Sequence, residues 1–279
     1  MNQKEYAYFG SADNKRIQRN AEAIWELVKD DPRYCCHGRA ISLAEGFEEN
    51  IELQASLSLL QGVGICDSVP SWHIEDRRSA LEKLGLKVEQ MEIFRGGNHT
   101  IVSARSVVSE HNLPEGLELI YLDERTSKWI LQKIDAFAQF HGASLPMESF
   151  LLKPGARSVC LAALDDDGHV IGTSAAGAHF HRSHARCDEA FWGMLATSED
   201  RRGQGIALLL GSLCMLAMNE RHGFDKFFTC IKKGNTPSER LCAKLSLKPD
   251  DTPAVFSIDP DFFPDGETDC VSQSIPEPI

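Results

Sequence analysis

Six residues, Arg202-Gly203-Gln204-Gly205-Ile206-Ala207, stand between an apolar run ending at Thr197 and a long apolar stretch that reads as a helix. Two glycines let the chain turn sharply and keep side chains out of a ligand's path. The first-turn N–H groups of the helix then lack internal partners and face outward at the positive end of its dipole. This is the chemistry of an anion site, best matched to a pyrophosphate. Arg201 and Arg202 add positive charge beside it. A nucleoside-triphosphatase loop would end in Gly-Lys-Ser/Thr, where this segment ends in Gly-Ile-Ala. A dinucleotide fingerprint would need a glycine where Leu208 stands. It would also need a carboxylate ending the next strand, whereas Asp225 precedes that strand.

In this setting the chain resembles the GNAT superfamily of N-acetyltransferases. The family signature Gln/Arg-x-x-Gly-x-Gly/Ala is met by Arg202, Gly205 and Ala207. The later family element, an Asn followed by a short helix, is approached by Asn235 and by Lys244-Leu245-Ser246-Leu247. The resemblance spans about residues 117–258. It implies an α/β fold (an α+β mixed sheet), acetyl-CoA as co-substrate, and direct transfer of acetyl to a primary amine on a small molecule or peptide. It implies that backbone N–H groups of Arg202, Gly203, Gln204, Gly205, Ile206 and Ala207 hold the pyrophosphate. The strand through Met194, Leu195 and Thr197 would splay from Lys226–Ile231, offering its backbone to the pantetheine arm and the thioester carbonyl. Asn235 would contact that arm. Two departures stand out. Cys242 occupies the place of a frequent Tyr that protonates the departing thiolate, so Cys242 becomes the candidate acid. Ser246-Leu247 replaces the usual Gly-Phe. Glu189 is the candidate base, at the start of the strand entering the site, with Asp188 as competitor. The missing Tyr keeps an alternative in view, a non-catalytic acyl-CoA-binding regulatory module.

The elements that must position these residues follow from periodicity. Residues 117–122 read as a strand, 126–139 as a helix capped by Thr126 or Ser127, and 158–164 with 169–178 as a hairpin about Asp166-Asp167-Gly168. Residues 189–197 and 226–231 are strands, 205–221 a helix closed by Gly223, 237–245 a short helix and 254–258 a last strand. Upstream, residues 13–29 form a helix with Asp13 as cap, and 45–60 and 75–84 form two more. A strand covers 86–94, a polar stretch follows Arg95, and a boundary falls near Pro114. The chain thus divides into an N-terminal α/β region (1–113), an acetyltransferase domain (117–258) and a Pro/Asp-rich tail (259–279). Lys83-Leu84-Gly85-Leu86-Lys87 resembles Lys244-Leu245-Ser246-Leu247-Lys248, which suggests that the first region is a degenerate second GNAT-like copy. Its signature is missing, since Pro70 follows Gln61-Gly62-Val63-Gly64-Ile65 too soon for the long helix. A second splayed strand pair would be the mark of such a copy.

The net charge of -12 over 279 residues argues against nucleic acid, which needs clustered Lys and Arg, and mildly favours amine-bearing substrates. The nine cysteines are odd in number, lack any C-x-x-C pair and fall within apolar runs, which reads as buried thiols in a reducing compartment. No apolar run reaches the ~18 residues of a membrane span, and no signal peptide is visible. A cytoplasmic protein is expected, without membrane contact, with a homodimer allowed. His179, His181, His184 and Cys187 have spacing from which a zinc site can be imagined, but the resemblance implies no metal, and a polar loop is the simpler reading. Cys35-Cys36-His37 reads as core, because adjacent cysteines seldom form a useful disulfide.

Overall fold

The computed structural model describes residues 7–263, so most of the expected tail lies outside the described residues. The first half runs α1 (Ala12–Val28), β1 (Tyr34–Cys36), β2 (Ile41–Leu43), α2 (Ile51–Gln61), β3 (Val63–Cys66), α3 (Ile74–Lys83), β4 (Lys87–Gly96) and α4 (Asn98–Glu110). The second half runs β5 (Leu117–Tyr121), α5 (Lys128–Phe140), α6 (Glu148–Leu151), β6 (Ser158–Asp165), β7 (Val170–Ala178) and β8 (Glu189–Thr197). It continues through α7 (Ile206–His222), β9 (Lys226–Ile231), α8 (Thr236–Lys244), β10 (Lys248–Pro249) and β11 (Ala254–Ile258). The expected mixed α/β architecture is present. Two local readings change. The cap of α1 is Ser11, whose hydroxyl accepts from the Asn14 N–H, and Asp13 sits within the first turn, where its charge favours the helix dipole. The stretch after Arg95 is a helix, α4, whose buried side chains Ile101, Ala104 and Val107 recur every three residues.

One mixed sheet joins the halves in the order β1-β2-β3-β11-β4-β9-β8-β7-β6-β5, with β10 paired to β4. Among the described strands only the pairs β2–β3 and β8–β9 are parallel. At the centre the halves exchange strands: β4 of the first half lies against β9, and β11 from the end of the second half lies against β3. The series hairpin, helix, strand, helix, strand therefore occurs twice, as β1–β2–α2–β3–α3–β4 and as β7–β8–α7–β9–α8–β11. The two similar five-residue segments end equivalent helices. Gly85 (φ 83°) and Ser246 (φ 60°) both take the left-handed conformation, followed by bonds from Leu86 N–H to the Leu81 carbonyl (3.2 Å) and from Leu247 N–H to the Cys242 carbonyl (2.9 Å). Ser246 thus makes the turn its family counterpart makes with glycine. The splayed pair is not repeated. β2 and β3 pair at Ser42↔Ile65 and Leu43↔Cys66, and the Asp67 N–H continues the ladder to the Leu43 carbonyl at 2.9 Å.

The helix α7 is apolar on nearly every side because the sheet covers one side and α4 another; Ile101, Ala104 and Val107 join Cys214, Met215 and Met218 in one apolar cluster. Gly211 lets α7 settle onto β8, since an added Cβ there would lie 2.6 Å from the Trp192 ring. The opposite face of the sheet is covered by α5, whose Leu131, Ile134 and Ala138 belong to one apolar cluster with Met194. The end of β8 and the start of α7, the expected anion site, are thereby fixed on both sides by core packing.

Candidate active site

β8 and β9 pair only at Glu189↔Lys226, Ala190↔Phe227 and Phe191↔Phe228, although β8 runs on to Thr197 and β9 to Ile231. Beyond Phe191 the strands part, and the backbone groups along the gap no longer have each other as partners. The register of β8 against β7 shifts between Thr173 and Ala175, opposite Met194. Met194 has φ 54°, a conformation that costs a bulky residue about 1–2 kcal/mol. Burial of its side chain (2% exposed) and a bond from the Thr173 hydroxyl to its carbonyl (2.9 Å) hold it there. The bulge turns peptide groups at Gly193 and Met194 out of the regular ladder beside the gap.

The gap leads to the start of α7. Gly203 (φ 79°) and Gly205 (φ 80°) both need the left-handed conformation, and an added Cβ at Gly203 would meet nothing within 4 Å. The first helical bond of α7 runs from Leu209 N–H to the Gly205 carbonyl (3.0 Å), so the N–H groups of Ile206, Ala207 and Leu208 precede it. A cavity of about 690 Å³ opens over this turn, lined by Leu195, Thr197, Arg202, Gly203, Gln204, Gly205, Ile206 and Ala207. A smaller one of about 70 Å³ lies within the gap and is lined by Met194, Leu195, Asn235 and Cys242. Every residue named for the cofactor from sequence therefore borders one of these two adjoining spaces.

Several lining residues went unread in the sequence. Arg240 and Lys244, four apart on α8, bring their charges to the larger cavity together with Arg201 and Arg202. Their i,i+4 spacing was the available signal. His141, one residue past the end of α5, lines both spaces, and burial, then the nearby Arg202 charge, pushes its pKa down. Nothing in the local sequence marks that position.

The two proton-transfer candidates fare differently from the cofactor residues. Asn235 caps α8, its side-chain oxygen accepting from the Ser238 N–H at 3.3 Å, and so holds the helix that carries Cys242. Cys242 reaches the wall of the smaller space but is fully buried, and burial pushes its thiol up to about 12, which makes it a weak acid toward a departing thiolate. Glu189 lies at the closed end of the β8–β9 pair, outside both cavities. Its carboxylate is engaged by Arg95, which also bonds Asp250 at 2.8 Å and Ser68 at 3.0 Å. A carboxylate already paired with a guanidinium is poorly disposed to take a substrate proton. Asp188 is paired with Lys226 on the surface.

The four-member cluster in the 179–187 hairpin disperses. His179 turns inward, His181 bonds Ser183 at 2.7 Å, His184 stacks on Phe180, and Cys187 stands apart, half-buried. Cys35 and Cys36 are buried as expected for core, and burial pushes the Cys36 thiol up to about 12. Among the described residues no helix is long and apolar enough to cross a membrane.

Residues 120–246 match the family model for the acetyltransferase (GNAT) family. No curated protein matches the chain in sequence. Among solved structures, a GCN5-related N-acetyltransferase from Kribbella flavida is similar at 13% identity and a TM-score of 0.54, over 88% of this chain and 95% of that one. A Drosophila protein is similar at 14% identity and a TM-score of 0.54, over 89% of this chain and 90% of that one. Likeness at such identities concerns the fold, and it extends across both halves. The splayed strands, the open helix start and the family match coincide in one stretch of chain: residues 120–246 form an acetyltransferase domain of the GNAT family.

Proposed function

We propose that the protein transfers an acetyl group from acetyl-CoA to a primary amine by direct attack on the thioester. The observation that carries the reading is the β8–β9 gap running into the N–H groups at the start of α7, with the two cavities adjoining along it. Four basic side chains, Arg201, Arg202, Arg240 and Lys244, border the larger space in a chain of net charge -12, which supports a polyphosphate ligand at that place. In this reading the N–H groups from Gly203 to Ala207 bind the pyrophosphate, that of Arg202 being given already to the Glu199 carbonyl at 3.3 Å, and the edge through Leu195 and Thr197 holds the arm in the slot. Peptide N–H groups at the Met194 bulge polarise the thioester carbonyl, where preorganised donors act without reorganising. When bound, acetyl-CoA supplies the activated acyl carbon.

The buried Cys242 thiol, weak as an acid, favours a second reading in which the domain binds acyl-CoA without turning it over. Release of free thiol from acetyl-CoA, measured against amino acids, polyamines, aminoglycosides and peptide amines, separates the two. Amine-dependent release is expected. Tight binding with no release across that panel would leave the regulatory module.

A further inference from the structure

The turn between β1 and β2 carries the first half to the bulge of β8. The second half fixes that turn in place: the Cys36 N–H donates to the His179 carbonyl at 3.3 Å, and the Met147 N–H donates to the Gly38 carbonyl at 2.7 Å. The close approach requires Gly38 (φ 79°), because an added Cβ would lie 2.5 Å from the Phe150 ring and 2.7 Å from Pro146. His37 and Arg39, on either side of Gly38, are thereby brought to a space of about 10 Å³ that is also lined by Gly193 and Met194, with Phe150 and Phe191 among its other walls. The guanidinium carbon of Arg39 stands 5.5 Å from the centre of the Phe191 ring, a cation–π contact.

This space lies on the face of the sheet away from the slot. Side chains alternate along a strand, and Trp192, Phe227 and Ile231 join the apolar cluster of α7, whereas Phe228 and Cys230 join another, against which Phe191 packs. The slot is lined by Trp192 and Ile231 and so opens on the first face. The space at Arg39 is lined by Phe191 and opens on the second. Both border Gly193 and Met194, where β8 and β9 have already parted. With the arm in the slot, the second face is the side from which an acceptor reaches the thioester carbonyl. His37, Arg39, Phe150 and Phe191 are each half-buried, so the space meets solvent along them.

Among the described residues that line this space, Arg39 is the charged one. Desolvation, then the Arg39 charge beside it, pushes the His37 pKa down and keeps that ring neutral. Asp67, just after β3, borders a neighbouring space with Arg39, but it accepts from the Ser42 hydroxyl (2.6 Å) and from His179 Nε2 (2.7 Å), so its charge is already engaged. A guanidinium partly removed from water against an aromatic ring suits a planar carboxylate, which it holds through two parallel bonds. A space of ~10–15 Å³ is the least that holds one water, so only a compact group fits beside the fork. Phe191 and Gly193 are two residues apart, roughly 7 Å at about 3.3 Å per residue, so the group that pairs with Arg39 belongs to the same small part of the acceptor as the reacting nitrogen. We infer that the acceptor is a free α-amino acid, whose carboxylate pairs with Arg39 of the first half while its amine faces the thioester at the Met194 bulge. The inference rests on the amine-acetyltransferase reading above and names the class of amine.

The test measures thiol release with a panel of free amino acids, each beside its amide, which lacks the carboxylate. Arg39→Gln should lower kcat/KM for the amino acids about 10- to 100-fold, the scale of a charge-assisted pair, and leave the amides within about three-fold, with the affinity for acetyl-CoA retained. Dividing each value by that of the unaltered protein for the same acceptor cancels the difference in basicity between acid and amide. Arg39→Lys keeps the charge without the fork and should fall between the two, and it carries the comparison if the Gln variant loses acetyl-CoA binding. A loss shared by acid and amide, or a loss with neither, would overturn the inference. So would an unaltered protein that acetylates other amines but no amino acid. Competition gives an independent reading without any substitution: the 2-hydroxy acid matching the best amino acid should compete with it, and the 2-hydroxy amide should not. Failure of the hydroxy acid to compete would overturn the inference too. Absence of thiol release with every amine would instead sink the acetyltransferase reading itself.

Discussion

Placing a single charge at Gly205 probes the cofactor site without disturbing the fold. The sequence alone suggests Gly205→Glu, expected to abolish cofactor binding with the fold intact. The structure adds that Gly205 has φ 80°, so any side chain there carries a backbone cost, and a bulky one confuses strain with charge. Asn and Asp tolerate the left-handed region best among non-glycine residues, are nearly isosteric, and differ by one charge. There is room for either: an added Cβ would have His111 Cδ2 as nearest neighbour at 3.7 Å, an ordinary contact. A carboxylate about 6 Å from a phosphate charge, at an effective dielectric constant of about 20–40, repels it by about 1.5–3 kcal/mol. Gly205→Asp should therefore bind acetyl-CoA about 10- to 100-fold more weakly than Gly205→Asn, with the difference shrinking as salt is raised. In the ligand-free protein the order reverses, because an Asp at the N-cap of α7 favours the dipole and the Asp variant should melt no lower than the Asn variant. Calorimetric titration at two ionic strengths, with thermal melts of both variants, reads both effects. Equal affinities within two-fold, in variants of equal stability, would refute the placement of phosphate at this turn.

Other expectations follow from single features. Cys242→Ala should retain kcat within about three-fold and cost about 1 kcal/mol of stability for the small void; a loss of 100-fold with acetyl-CoA binding intact would make the thiol a proton donor after all. The Asp67 carboxyl titrates below its unfolded value, so the stability it contributes is present above about pH 4, the ordinary Asp range, and is lost as pH falls below it. The melting temperature of Asp67→Asn should accordingly lie below that of the unaltered protein at pH 6, with the gap narrowing as pH falls below about 4, and a gap independent of pH would contradict stabilisation of the charged carboxylate by its Ser42 and His179 bonds. A piece comprising residues 114–263 lacks β4, leaves the edge of β9 unpaired and carries β11 without its neighbours, so it should be insoluble or aggregate. A soluble, monomeric piece that binds acetyl-CoA would show the halves to be independent.

What could be read in the sequence were the features written locally. The glycines at 203 and 205, the apolar run after them and the strand ending at Thr197 each follow from neighbours in the chain, and the cleft proposed for the cofactor is built from just those pieces. The helix α4 escaped because its buried apolar residues, Ile101, Ala104 and Val107, are few and its other positions mix polar residues with Val102 and Val108; it owes its place to the face of α7 that it covers. That α7 is apolar on nearly every side was itself a sign that something beyond the sheet must cover it.

The chemistry of proton transfer was illegible for a different reason. Glu189 looks like a free carboxylate in the chain because Arg95, which claims it, lies 94 residues earlier. His179 looks like one of four surface histidines because Asp67, which claims it, lies 112 residues earlier. Both partners come from the first half, and the exchange of β4 and β11 is what brings that half against the closed end of the β8–β9 pair. A domain that supplied its own closing strand would present a different edge there, with neither Arg95 nor Asp67 beside it. The first half, which repeats the order of elements but keeps β2 and β3 paired to their ends, shows no splayed pair of its own among the described residues, and it supplies Arg95 and Asp67 to the closed end of the β8–β9 pair. The exchange of strands makes the two halves one structural unit, and it is this exchange, rather than any motif, that sets which carboxylate is paired and which histidine is buried.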